Sequence, residues 1–304
     1  MNIARSQTQS APSTIAWIFM LLASALPIIV IREVIHTDVS ETWRLGFPVL
    51  VMSVGFLITL VWKAISPLRP FFILFIALGM VEWLVYTQIG NMPLWKAWQS
   101  DSSFNISMIA SQTLRMIVTL VVIATLFFLK KNRESFFLVK GDRNAVVEPV
   151  KWMGVKEGER WNKFGRNFTV ILSLVTLTFL ILAGRPSLDA ALKILPFLPV
   201  ILLAAMMNAF SEEMTYKASF LSVLEDVIGR NQALWLMAVY FGIGHFYGVP
   251  YGVIGALMAG FLGWFLGKSM LETRGLFWAW FIHFVQDVLI FAFIAIGSIA
   301  AGGG

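Results

Sequence analysis

Apolar runs of about 18 residues or more recur from end to end of this 304-residue chain, each long enough to cross roughly 30 Å of hydrocarbon as a helix. They fall near 14–31, 46–65, 70–90, 107–129, 167–183, 191–228, 231–247, 250–268 and 275–297. Only 13% of the residues are charged and 58% are hydrophobic, against about 25% charged in a soluble domain. A water-facing surface cannot be covered with so little charge, and the mean hydropathy of +0.79 agrees. The pattern predicts an all-α polytopic integral membrane protein with about eight or nine transmembrane helices.

There is no cysteine, which excludes disulfides, thiolate catalysis and cysteine metal sites, so any chemistry must use oxygen or imidazole. The net charge of +6 is not a nucleic-acid signal, because the basic residues lie beside apolar spans and not along one soluble face. Residues 130–168 hold ten of the 23 Lys and Arg against five acids. The positive-inside rule makes that loop cytoplasmic, and four preceding crossings put the N-terminus on the same side.

The chain divides accordingly into an N-terminal four-helix membrane region (1–129), a basic cytoplasmic loop (130–166) and a membrane core (167–304). Within the loop, Phe136 to Val139 and Val146-Val147 flank Gly141-Asp142-Arg143-Asn144, a pattern open to a small hairpin or to a plain interfacial loop. Ala23-Ser24-Ala25 mimics a leader cleavage site, but only Arg5 precedes it and the apolar run continues to Ile31, so this segment reads as a span. Glu82 and Arg115 each stand alone in an apolar span at a similar depth of ~18–22 Å, where they are expected to pair. Short loops, abundant membrane tryptophan and the lack of an organelle signal fit a bacterial inner membrane.

Polar groups interrupt the apolar helices of the last third three times: Ser211-Glu212-Glu213-Met214-Thr215-Tyr216-Lys217, Phe241-Gly242-Ile243-Gly244-His245, and His283-Phe284-Val285-Gln286-Asp287. Ionisable groups at membrane depth are costly and mark function. Residues four apart share a helix face, which pairs Glu213 with Lys217, Phe241 with His245 and His283 with Asp287. Glu212, rotated by ~100° from Glu213, has no base on its own face and is the freer carboxylate. Counting ~1.5 Å per residue from the turn at Gly229 puts Glu212 ~24 Å and His245 ~20 Å deep. The same count puts His283 at ~12 Å and Asp287 at ~18 Å from the 268–275 turn, provided that turn lies at the same surface. The glycines between the second and third motifs, spaced mostly by three to five, read as close helix packing.

The three motifs resemble those of the CAAX prenyl endopeptidase and bacteriocin-processing family of intramembrane proteases, whose pattern is Glu-Glu-x-x-x-Arg, Phe-x-x-x-His and His-x-x-x-Asn or Asp. The match in order and spacing covers roughly 190–297, with Lys217 standing where the family has arginine. The resemblance implies an intramembrane endopeptidase acting on a peptide or membrane-protein substrate in contact with membrane lipid. It implies that Glu212 and His245 bind and activate water while His283 and Asp287 stabilise the oxyanion, with Glu213, Lys217 and Phe241 in support. Glu212, His245 and His283 also make a two-histidine, one-carboxylate zinc set, so metal-free and zinc-dependent readings both stand. As a non-enzyme, the same buried charges would suit a bacteriocin self-immunity protein or a transporter.

Overall fold

The protein is described by a computed structural model covering the backbone of residues 3–101 and 103–300 and the side chains of 11–101 and 103–298, so the Arg5 side chain lies outside the described residues. Its helices are α1 (Ile3–Ala23), α2 (Leu26–Ile29), α3 (Glu41–Val61), α4 (Arg69–Trp83), α5 (Pro93–Gln99), α6 (Phe104–Phe128) and α7 (Trp161–Gly184), followed by α8 (Leu188–Leu192), α9 (Leu198–Glu212), α10 (Ser219–Ile228), α11 (Arg230–Gly244), α12 (Val253–Thr273) and α13 (Phe277–Ala300). Among the described residues seven helical stretches are long and apolar enough to cross a membrane, or eight if α1 and α2 form one bent span. This is an all-α integral membrane protein. Its α7 exposes Val170, Ile171, Leu174 and Val175, as a lipid-facing helix should.

Two expectations are refined. The 231–247 span is the 15-residue α11, too short to cross alone, because the sequence stops it at Gly244 and continues through Gly248, Pro250 and Gly252. The Ala23-Ser24-Ala25 triplet is where α1 and α2 meet at 46°. There Ser24 Oγ donates to the Leu21 carbonyl (2.8 Å) and accepts from the Leu26 N–H (3.1 Å), and Pro27 cannot donate to the preceding turn.

No hairpin forms in the basic loop. Its β pairing among the described residues is two isolated bridges, Val146 with Arg160 and Val150 with Val155. Phe136 and Phe137 are instead buried, because the loop lies on the α12–α13 turn: Asp142 N–H donates to the Thr273 carbonyl (2.7 Å) and Leu276 N–H to the Val139 carbonyl (2.9 Å). The α10–α11 turn at Gly229, where φ is 87°, adjoins the same surface, for Arg274 grips Glu225 bidentately at 2.7 and 2.8 Å. The condition for the motifs to lie level is thus met.

The core that carries the motifs is knit by close contacts. Helices α6 and α13 both pack on α9, and α11 packs on α12. A Cβ at Gly242 of α11 would run into the Ala256 carbonyl and Gly260 of α12, so the two backbones touch where only glycine fits. An edge-to-face cluster of Phe71, Phe72, Phe75, Phe220 and Tyr240 ties α4 to α10 and α11.

Candidate active site

The first motif does not sit on an uninterrupted α-helix. α9 ends at Glu212, and Glu213–Ala218 form a π-helical turn before α10 begins. Such a turn widens the helix locally and is common at functional sites. It carries Glu213 and Lys217 inward, where both side chains are fully buried and the ammonium lies 2.8 Å from Glu213 Oε1. That contact is an ion pair off the angle of a hydrogen bond, since Lys217 Nζ has no hydrogen-bond partner among the described residues. The ammonium also lies 3.5 Å from the centre of the Phe241 ring, an aromatic face that partly replaces lost water. Phe241 thereby joins the first and second motifs.

His283 of α13 completes an inner chain. Its Nδ1 lies 2.6 Å from Glu213 Oε1, so Lys217, Glu213 and His283 are linked in series. The pairing of His283 with Asp287 expected from their spacing is looser, at 3.6 Å from Nε2 to Oδ1, and Glu213 is the carboxylate that sets the ring. Helical spacing could not reveal this, because the competing partner comes from another helix. Gln286 fixes the rotation of α13 from its other side, accepting from Thr176 (2.7 Å) and donating to Ser173 (3.1 Å) on α7.

With Nδ1 committed, Nε2 of His283 faces two carboxylates, Glu212 Oε2 at 3.7 Å and Asp287 Oδ1 at 3.6 Å. Asn208, one turn before Glu212 on α9, bridges the same two acids, its Nδ2 donating to Glu212 Oε1 (3.3 Å) and to Asp287 Oδ2 (3.0 Å). Asn208 escaped the sequence reading, although an amide in the apolar run Leu202 to Phe210 was a signal for it. Arg115 of α6 approaches Glu212 Oε1 at 3.6 Å. The expected Glu82–Arg115 pair therefore does not form. Glu82 instead accepts from the Tyr216 hydroxyl (2.8 Å), and Glu212 gains a basic neighbour that its own helix face lacks.

His245 caps the C-terminus of α11, half-buried, and its Nδ1 lies 2.8 Å from the Phe241 carbonyl. A carbonyl only accepts, so Nδ1 carries a proton, and in the neutral form of the ring Nε2 is the acceptor. The loop beyond is tethered to the turn after α2 by the Tyr251 hydroxyl, which donates to Glu33 at 2.7 Å and is pushed up to about 12 by that bond. Tyr251 therefore stays a donor across the physiological range.

Glu212, Glu213, His283 and Asp287 thus share one buried polar cluster, and Phe241 links His245 to its edge through Lys217. No ion pair or hydrogen bond joins His245 to Glu212 or His283 among the described residues. Among the described residues no group of three His, Asp or Glu is disposed to hold a metal.

Residues 194–289 match the family model described as Rce1-like, type II CAAX prenyl endopeptidase, which supports the CAAX protease family over the segment where the three motifs lie. No curated protein and no solved structure matches the chain.

Proposed function

We propose that this chain is a CAAX-protease-like intramembrane endopeptidase in which Glu212 is the general base. Glu212 takes a proton from water, and the hydroxide adds to the peptide carbonyl carbon. The carbon–nitrogen bond of the tetrahedral adduct then breaks as Glu212 returns the proton to the leaving amine. His245, with its Nε2 lone pair free, holds the water. His283 acts as an imidazolium whose Nδ1–H is anchored on Glu213 and whose Nε2–H donates to the oxyanion, with Asp287 beside it.

One observation carries this reading: a histidine locked through Nδ1 turns Nε2 toward the Glu212 carboxylate, which keeps 13% of its side-chain surface accessible while Glu213, one residue away, keeps none. A base must reach water and substrate, whereas an anchor must not. The chemistry needs only oxygen and imidazole groups, and we assign it to these side chains without a metal.

The test uses purified full-length protein and a prenylated CAAX-type peptide. Glu212→Gln keeps shape and removes the basic oxygen, and it is expected to abolish cleavage while membrane insertion and thermal stability persist. His245→Ala is expected to do the same. A Glu212→Gln protein that still cleaves the peptide would end the assignment.

A further inference from the structure

The basic loop and the start of α13 enclose a cleft that the proposed hydrolysis does not use. Arg133 and Lys140, both exposed, form its rim. Its floor is made by the half-buried Phe210 of α9, Leu276, and Phe277 and Trp280 of α13. The cleft holds about 430 Å³, within the ~300–1,000 Å³ usual for small-molecule sites. Its rim is fixed in place, because the Asp142 and Leu276 backbone bonds tie the loop to the α12–α13 turn. The Trp278 indole N–H also donates to the Arg143 carbonyl (3.0 Å), and Arg133 Nε donates to the Leu138 carbonyl (3.3 Å).

The charge on that rim is uncompensated. Glu134 and Asp142 belong to the same stretch, yet among the described residues none of Lys130, Lys131, Arg133, Lys140 and Arg143 has an acidic side chain within ion-pair distance. Arg230 and Arg274, at the same end of the molecule, are by contrast paired with Glu148 and Glu225. Arg143 lies 5.1 Å from the centre of the Phe277 ring, which brings a third cation to the floor. From there aromatic faces continue along α13, Phe277 stacking on Phe281 and Trp280 on Phe284. Unpaired cations above an aromatic wall, at the first turn of a membrane helix, match an anionic phospholipid. A phosphate needs the donors, and an acyl chain needs the wall that leads into hydrocarbon. A soluble anion would use the rim alone, and a neutral lipid the wall alone.

We propose that this cleft binds an anionic membrane phospholipid, its phosphate between Arg133 and Lys140 and its acyl chain along Phe277, Trp280 and Phe284. The site does not depend on the proteolytic reading, although it adjoins the helices on which that reading rests. Phe210 precedes Glu212 by two residues on α9, and Trp280 precedes His283 by three on α13. The lipid therefore rests against both elements that carry the proposed base and imidazolium.

The experiment measures, by native mass spectrometry, the lipid retained by purified full-length protein from detergent holding equal amounts of phosphatidylglycerol and phosphatidylcholine. Wild-type protein is expected to retain the anionic lipid in preference by about tenfold or more, since each Lys or Arg near a lipid phosphate adds to the attraction. Arg133→Gln combined with Lys140→Gln should bring the two lipids within about twofold of each other. Lys151→Gln combined with Lys156→Gln removes the same charge from exposed positions of the loop outside the cleft, and it should leave the preference intact. Should the first pair fail to fold, Lys140→Gln alone carries the test, with an expected fall of about threefold or more in the preference. Equal falls in the two double variants would make the attraction a diffuse property of the loop and overturn the site. An undiminished preference without Arg133 and Lys140 would overturn it too. Inorganic phosphate, added in excess over the lipid, is expected not to displace it. Displacement would assign the rim to a free anion and overturn the phospholipid.

Discussion

Two adjacent glutamates have different surroundings, Glu212 keeping 13% of its side chain accessible at the end of α9 while Glu213 is fully buried in a π turn. Glu213 is held between Lys217 and His283, and its charge is balanced inside the protein. Removing one partner of such a buried pair strands the other, so Lys217→Met is expected to destabilise the protein by about 3–5 kcal/mol, read as thermal unfolding in detergent. Lys217→Arg should retain or raise activity, since a guanidinium can keep both Glu213 and the Phe241 face. A tenfold fall in that variant, about 1.4 kcal/mol in barrier, would show that the π turn is built for lysine. His283→Ala is expected to lower kcat by about 10²–10³ with little change in KM, the mark of a donor to the transition state. Equal changes in both would make His283 a positioning residue.

The helices were legible in outline and their pairings were not. Apolar run length located the spans, and four-residue spacing correctly put Glu213 beside Lys217, Phe241 beside His245 and His283 within reach of Asp287. What spacing within one helix cannot reveal is which neighbour another helix supplies. The Glu213 anchor of His283, the Asn208 bridge and the approach of Arg115 to Glu212 all cross between helices and depend on their rotation. The π turn was equally hidden, because its sequence is compatible with an ordinary α-helix. The glycine pattern did foretell close packing, and at Gly242 the cost of losing it can be measured. Gly242→Val would press a side chain against the backbone of α12, and about 1–3 kcal/mol of stability should be lost together with cleavage, since α11 carries both Phe241 and His245. A variant that melts and cleaves like the wild type would show that α11 has room to shift.

At the scale of the whole molecule, the N-terminal helices do more than enclose the motif-bearing core. α4 supplies Glu82 to Tyr216 within the π turn, and α6 supplies Thr119 to Thr215 (3.0 Å) and Arg115 to Glu212. The half without a recognisable motif therefore braces the turn on which the proposed base and its neighbour depend. In the proposed reaction this assembly activates water with its own side chains. The most direct measurement is peptide cleavage by purified protein after exhaustive treatment with a strong chelator, with bound zinc quantified in the same sample. Undiminished turnover and no response to added zinc are expected. Stoichiometric zinc in the active protein, lost together with cleavage on chelation and in His283→Ala, and cleavage restored to the chelated wild type by the ion, would contradict it.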